Sequence, residues 1–457
     1  MKSANKNYDV ALIGKGAGYY VAEKAAERGM KVAVIDRPPI GGTCMNFGCL
    51  PSKTLLYPAE RIGEIRRAGK IGISAGEVQS DFGKLMERVR SDREKRRKYH
   101  KKQADGQDNM DYYSGEGRFI SERIIEVEGE RINADKIFLA NGARPMIPPV
   151  GGLDQIDFLT NENILELEEK PGSITIIGGG YIAMEYAWFL AAFDIDVTII
   201  EMNRVLMKEM EPEISELLES EVRKYAELHL GATAEKIESG QGKLSVQISK
   251  GGDKTRVSSD RVLVAAGRVS NADTLSLENT GIETDERGYI VVDKFMETTQ
   301  PGVFALGDIT GKYMFKHVAN EEARTAWHNS VSEDKRGMDY HAVPMAVYGY
   351  PEIATAGLTE KKASEDFDIL TGRAEYRSVS KGMIMRDQAG LVKAVVEKGS
   401  RRLLGFHVIG PHASILLQEA VNVIANNQSI DFIINSMHTF PSLSEIVLKP
   451  LLNLKKE

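Results

Sequence analysis

The feature that most restricts the fold is a pattern that occurs twice: an apolar run, a glycine-rich turn, a helical stretch and a second apolar run ending in a carboxylate. The first copy comprises Tyr8–Ile13, Gly14-Lys15-Gly16, a predicted helix from Val21 to Arg28 closed by Gly29, and Lys31–Ile35 followed by Asp36. The second comprises Ser173–Ile177, Gly178-Gly179-Gly180, a predicted helix through about Phe193, and Asp196–Ile200 followed by Glu201. Each reads as a β-α-β unit of the dinucleotide-binding kind. Backbone N–H groups at the turn and helix start face a pyrophosphate, and the terminal carboxylate accepts ribose hydroxyls. In the second copy Gly178 and Gly180 suit the turn and Ala183 fills the small-residue position. Glu201 favours NAD over NADP there, because a carboxylate repels a 2′-phosphate. In the first copy Gly14 and Gly16 fit and Gly18 lies beside them, but Tyr19 stands where a third small residue is expected.

A chain of 457 residues exceeds one ordinary core, so two or three domains are expected. A formal charge of -7 supplies no global field for nucleic acid, and nucleic-acid binding is not expected. The strongly charged segment from Phe82 to about Gln107 interleaves acidic with basic residues and has no aromatic platform, so it reads as a solvated helix face. Met1–Asn7 is polar and leads into a short strand, neither a signal peptide nor a membrane span, so a cytoplasmic protein is expected. From about Val343 the pattern changes to strand-like segments such as Gly390–Val396 and Leu403–Ile409, followed by helices from about Ala413 and Ser442. A separate C-terminal α+β domain is expected there.

The chain has two cysteines, too few for a disulfide framework or a four-thiolate metal site. They lie close together, in the segment Gly41–Lys53 just after Asp36. The spacing of Cys44 and Cys49 puts both sulfurs on one side of roughly a helical turn, with Gly48 and Pro51 shaping the backbone, so the pair can close as a disulfide. In a reducing compartment such a pair points to catalysis rather than to a structural bridge. The alternatives are two buried cysteines or half a zinc site, and zinc lacks its remaining ligands nearby. No metal is expected.

With this segment the chain resembles the class I pyridine nucleotide-disulfide oxidoreductases, the group containing dihydrolipoamide dehydrogenase, glutathione reductase, mercuric reductase and mycothione reductase. The resemblance extends to Leu139–Pro145, with Asn141 where threonine is usual, to Val264–Arg268, to Thr299–Asp308 and to Met314–Ala319, where Lys316 is unusual. It implies two Rossmann-like domains and a C-terminal α+β dimerisation domain. FAD would bind residues 1–147 with 269–340, NAD would bind 148–268, and 341–457 would form the interface of a homodimer. It implies FAD contacts from Gly14, Gly16, Gly18, Asp36, Gly42, Thr43, Lys53, Asn141, Gly142, Asp308, His317 and Ala319. For NAD it implies Gly178, Gly180, Ala183, Glu201 and Gly267. It further assigns Cys49 to the flavin, Cys44 to exchange with substrate, Lys53 to the neighbourhood of the flavin N5, and Glu185 to an ion pair with Lys53.

One departure bears on the substrate. Thiol–disulfide exchange needs a group to manage the proton of the incoming or leaving thiol. In the lipoamide and glutathione enzymes this is a histidine just before a proline, oriented by a glutamate and contributed by the partner subunit. Here Glu445 is present, but Phe440 precedes Pro441 and His438 lies two residues too early. A strand-like approach would point His438 to the same side as Phe440, within a small shift of the site. The leading expectation is a dihydrolipoamide dehydrogenase using NAD, with a lipoyl-type or small disulfide substrate and a place in a 2-oxoacid dehydrogenase complex. The alternatives are an NAD(P)H-driven reductase of another disulfide, a quinone or a metal ion, and a non-catalytic flavoprotein.

Overall fold

The computed structural model describes residues 5–104, 106, 108–240, 242–386 and 389–455. The first four residues of the polar N-terminus, the helix end expected near Gln107 and the last two residues lie outside this set. The first β-α-β unit is β1 (Lys6–Ile13), α1 (Tyr19–Glu27) and β2 (Val32–Asp36), with Val10 opposite Val32 in parallel register. Both strands are apolar on both faces and Val10–Leu12 and Val32–Ile35 are fully buried, as a parallel strand covered on two sides requires. Three helices follow: α2 (Gly42–Asn46), α3 (Cys49–Arg67) and α4 (Phe82–Ala104). Then β3 (Met110–Ser114) pairs with β2, and β4 (Arg118–Ser121) and β5 (Ile124–Val127) lead antiparallel into β6 (Glu130–Leu139). The last strand lies parallel to β1, and Val303–Ala305 adds a seventh strand beside it.

The chain leaves this sheet through β7 (Ala143–Pro145) and returns through Arg268–Ser270, and these two segments pair antiparallel. Between them β8 (Ser173–Ile177), α5 (Tyr181–Ala192), β9 (Asp196–Glu201), α6 (Pro212–Val222) and β10 (Glu227–Leu230) build a second parallel sheet in the order β10-β9-β8, completed by Arg261–Val264. Beyond it, strands at 344–347, 353–357, 403–409, 391–397 and 369–375 form an antiparallel sheet in that order, with helices Ala413–Ala425 and Glu445–Leu452 packed on it. The expected fold class holds: two parallel α/β units and a C-terminal α+β unit.

The expectation for the charged helix needs correcting. Phe82, Leu85, Met86, Val89 and Arg93 of α4 are buried, so the helix is solvated on one side only. Arg93, 2% exposed, pairs with Glu166 at 2.6 Å, and Arg97 Nε donates to Asn46 Oδ1 at 2.7 Å. Asn46 itself is fully buried and donates to the carbonyls of Pro39, Ile40 and Gly42. Arg97 of α4 therefore braces the loop that carries Cys44.

The second β-α-β unit and the C-terminal sheet are joined by a buried charge cluster. Lys393, on the strand Leu391–Glu397, lies 2.8 Å from Glu211 and 3.1 Å from Glu213 at the start of α6, and also pairs with Glu360. Lys393 and Glu211 are both 1% exposed. Removing one partner of such a pair strands the other charge out of water. Lys393→Met is expected to destabilise the fold by about 3–5 kcal/mol, read as a lower midpoint in chemical denaturation, and Glu211→Gln made in the Lys393→Met background should recover part of it.

Candidate active site

Two glycine turns meet at the head of the first sheet. A Cβ on Gly14, which has φ +99°, would come within 2.3 Å of the Ala140 carbonyl, and one on Gly42 would come within 2.8 Å of Gly16 Cα. Glycine at these positions lets the loop bearing the cysteines press against the dinucleotide turn. Asp36 ties the two together: its Oδ1 accepts the Lys15 N–H at 3.1 Å and its Oδ2 the Gly41 N–H at 3.0 Å. Burial raises the Asp36 pKa against these two bonds. The Tyr19 departure has a physical resolution. Gly18 makes the close approach, since a Cβ there would lie 2.6 Å from Leu12 and 2.7 Å from Ala140. Tyr19 instead begins α1 with its ring 3.7 Å from the ammonium of Lys15, itself only 2% exposed.

Cys44 lies within α2, beside Thr43, and Cys49 is the first residue of α3. The intervening turn needs Gly48, where a Cβ would fall 3.3 Å from Cys44 Cα. Both residues are thiols in this structure. They are unequal: each sulfur acts on the other, so that the Cys49 pKa is lowered and that of Cys44 raised. Burial works against the Cys49 thiolate and the Lys53 ammonium supports it, as does the N-terminus of the 19-residue α3. The first proton lost by the pair therefore leaves Cys49.

Lys53, one turn along α3, donates to both oxygens of Glu185 on α5, at 2.8 and 2.9 Å. The Glu185 side chain is 8% exposed and also accepts the Tyr348 N–H at 3.1 Å, and Lys53 lies over the Tyr348 ring at 4.7 Å. The helices can approach because Gly63 of α3 faces Trp188 of α5, where a Cβ would fall 2.7 Å from the indole. The structure thus brings together Cys44, Cys49, Lys53 and Glu185, residues drawn from two separate β-α-β units.

Below this cluster sits a polar junction. Arg268 donates to the Ala143 carbonyl at 2.5 Å and lies 3.6 Å from Asp308, whose pKa burial raises and Arg268 lowers. Asn141 and Asn271 exchange bonds with each other's carbonyls at 3.1 and 2.7 Å, and Gly142 and Gly267 take φ of +70° and +127°. Asn141 Oδ1, Arg268 Nε and Tyr19 OH are buried with no hydrogen-bond partner among the described residues. At the start of α7 (Lys316–Val331), His317 Nε2 lies 2.8 Å from the Pro344 carbonyl, and Ala319 packs 3.3 Å from where a Gly307 Cβ would be. Lys316 donates to Asn320 Oδ1 one turn along α7 and lies within electrostatic range of both sulfurs. In the second unit Gly178 has φ +117°, a Cβ on Gly180 would meet nothing within 4 Å, and Ala183 is fully buried. Glu201, 7% exposed, accepts the Asn203 N–H at 2.6 Å.

Two close-approach turns, a carboxylate at the end of each second strand and unsatisfied polar atoms between them fit a flavin dinucleotide in the first unit and a nicotinamide dinucleotide in the second. The comparisons agree. The sequence model described as pyridine nucleotide-disulphide oxidoreductase matches residues 8–323, and that of the family's dimerisation domain matches residues 343–450. The chain is 33% identical to mycothione reductase of Mycobacterium tuberculosis over 98% of its own length and 100% of that protein's. It is 32% identical to dihydrolipoyl dehydrogenase of Chlamydia muridarum, covering 97% and 96% of the two chains. Its fold superposes with a TM-score of 0.88 on the HOCl-induced flavoprotein disulfide reductase RclA of Escherichia coli, solved as a Cu(II) complex, at 27% identity over 98% and 99% of the chains. The chain belongs to the pyridine nucleotide-disulphide oxidoreductase family. It is a flavin-dependent enzyme of that family, which binds FAD and uses NAD(P)H.

Three neighbours of the site were not singled out in the sequence. Tyr181, the first residue of α5, stands 6.4 Å from Phe315 and close enough to Cys49 for the two to interact electrostatically; burial pushes its pKa up to about 12. Its place directly after Gly180 is the signal for it. Arg268 lay inside a quoted segment, and Lys15 is the middle residue of the first turn. His438 and Glu445 come to different places. The His438 side chain is 8% exposed and sits 3.1 Å from Glu419, whereas Phe440 is 71% exposed. Glu445 begins the last helix and accepts the Ser442 N–H at 3.4 Å.

The unequal thiols give a pH prediction. A depressed Cys49 pKa keeps the thiolate at pH values below the ordinary thiol range and loses it only as pH falls through the depressed value. Lys53→Met removes a charge that supports the anion, so the pH midpoint of Cys49 alkylation in the reduced protein should rise by about one unit. An unchanged midpoint would show that Lys53 does not act on this sulfur.

Proposed function

We propose that this chain is an NADH-driven reductase that passes electrons through FAD and the Cys44–Cys49 pair to a small disulfide. The carrying observation is the pair Phe440 and His438: an exposed ring stands where an exchange base is expected, and the nearby imidazole is enclosed against Glu419. Oxidising a dithiol needs a base to take its protons, whereas reducing a disulfide asks first for a thiolate on the enzyme. FAD, when bound, supplies a two-electron relay between nicotinamide and dithiol. The chain's own residues hold the ends of that relay: Lys53, set by Glu185, keeps Cys49 ionised, and Cys44 meets the substrate. Glu201 supports NAD as the nicotinamide donor, because a carboxylate ending the second strand accepts ribose hydroxyls and repels a 2′-phosphate. A cationic substrate is disfavoured by two ammonium groups near the sulfurs, and no group of three or more His, Cys, Asp or Glu is arranged to hold a metal among the described residues.

A homodimer completes the reading. The match to the family's dimerisation domain supports it, as do the exposed apolar side chains Met383, Ile384, Ile415, Phe432, Met437 and Phe440 on the C-terminal unit. The three units divide, on this reading, as residues 1–147 with 269–340, 148–268 and 341–457. No described helix is long and apolar enough to cross a membrane.

Similarity to dihydrolipoyl dehydrogenase over nearly the whole chain favours a second reading, lipoamide chemistry within a 2-oxoacid dehydrogenase complex. The two separate in one assay. NADH-dependent reduction of small disulfides should exceed dihydrolipoamide-dependent NAD reduction by at least about a hundredfold in kcat/KM, the low end of a positioned general base's contribution. Phe440→His should raise the dihydrolipoamide reaction selectively. Efficient dihydrolipoamide oxidation by the unmodified protein, lost in Cys44→Ser, would overturn the reductase assignment.

A further inference from the structure

Resting on the reading that Asp308 meets the flavin, we propose that Glu322 is a positioning residue for FAD: its buried carboxylate, anchored by the Tyr340 hydroxyl, grips the Gly307 N–H and so sets the direction of Asp308.

Glu322 is fully buried, and the exchange chemistry at the sulfurs does not use it. Its Oε2 accepts the Gly307 N–H at 2.6 Å and its Oε1 accepts the Tyr340 hydroxyl at 2.8 Å. Taking a carboxylate out of water is costly unless its oxygens are bonded. Burial works against the charge here, and both bonds support it. What the carboxylate bonds is specific. Gly307 opens the short turn Gly307–Thr310, stands directly before Asp308 and takes φ +76°. The Asp308 carboxylate in turn lies 3.6 Å from Arg268. α7 passes this turn closely: a Cβ on Gly307 would fall 3.3 Å from Ala319, and Glu322 lies three residues further along, on the same helix face. The backbone that carries Asp308 is thus fixed by a side chain from another element.

The grip is itself held. Tyr340 stacks on Tyr313, with ring centroids 5.5 Å apart and planes inclined by 19°, and the Lys312 ammonium sits 3.8 Å from the Tyr340 ring. Lys312 and Tyr313 follow the turn in sequence. The contacts therefore close a circuit: from the turn to Tyr313, across to Tyr340, on to Glu322 and back to Gly307. The charged and titratable groups that act on Glu322 are Tyr340, Asp308 and Lys312. Lys312, the cation among them, is seated on the Tyr340 ring, so the bonds to the carboxylate come from neutral donors, one on each oxygen. Such charge-assisted bonds are about twice as strong as bonds between neutral groups. Without Glu322 the Gly307 N–H is released, and the turn can rotate and carry Asp308 away from the direction in which it meets the flavin.

The rate at which flavin leaves the diluted holoenzyme, read as recovery of free-flavin fluorescence, tests this independently of turnover. Glu322→Leu removes both bonds and should speed FAD loss about tenfold or more. Glu322→Gln keeps an oxygen for the Gly307 N–H and an amide for the Tyr340 oxygen, and should stay within about threefold of the parent. Tyr340→Phe removes one hydroxyl, should speed FAD loss about two- to fivefold, and carries the test should Glu322→Leu fail to fold. A double-mutant cycle shows whether the effect runs through Asp308: in the Asp308→Ala background neither Glu322→Leu nor Tyr340→Phe should add more than about twofold. Parental rates in both Glu322→Leu and Tyr340→Phe, or effects that persist in full beside Asp308→Ala, would overturn the role of Glu322. FAD loss unchanged in Asp308→Ala alone would instead refute the reading that Asp308 meets the flavin, whatever the other variants do.

Discussion

The ion pair between Lys53 and Glu185 is the interaction on which the site's geometry depends. It joins α3, which begins with Cys49, to α5, which begins just after the second glycine turn, and through the Tyr348 N–H it also reaches the C-terminal unit. Three parts of the chain are thereby held to one carboxylate. Glu185 is nearly buried, so the pair cannot be replaced by water without leaving a charge poorly solvated. The pair forms because Gly63 lets α3 lie against Trp188. A larger residue at that position would part the helices and move Lys53 from Cys49.

Around this anchor stand two thiols of unequal acidity. The two neighbouring sulfurs act on each other so that Cys49 is the more acidic thiol and Cys44 the less acidic one. On the proposed reading the pair is a relay with a direction, Cys49 toward the cofactor and Cys44 toward the substrate. Lys53, the lysine one turn along from Cys49, is neutralised by the Glu185 carboxylate. Asp36 contributes further off, by bonding the backbones of both glycine turns and fixing the cysteine loop against the dinucleotide turn.

The sequence made the architecture legible because its strongest signals are local. Apolar runs, glycine turns and terminal carboxylates specify β-α-β units without tertiary information, and all four strands at these units formed where the pattern placed them. The cysteine spacing was similarly plain. What could not be read was set by contacts across long separations. Gly18 makes the close approach expected of position 19 because Leu12 of β1 and Ala140, just beyond β6, crowd it. Arg93 and Arg97, expected in solvent, face inward because α2 presents Asn46 and Glu166 lies alongside. His438 is held by Glu419, nineteen residues earlier on the helix Ala413–Ala425, a contact its own local sequence does not announce.

The central claim is that Cys44 and Cys49 form the redox centre through which NADH reduces a substrate. The most direct measurement is a count of thiols in the air-oxidised, flavin-loaded protein before and after anaerobic addition of NADH, with each label mapped by mass spectrometry. The account predicts no labelled cysteine before addition and both Cys44 and Cys49 labelled after it. Label absent from both positions after NADH has been oxidised, or present in equal amount before and after, would contradict it.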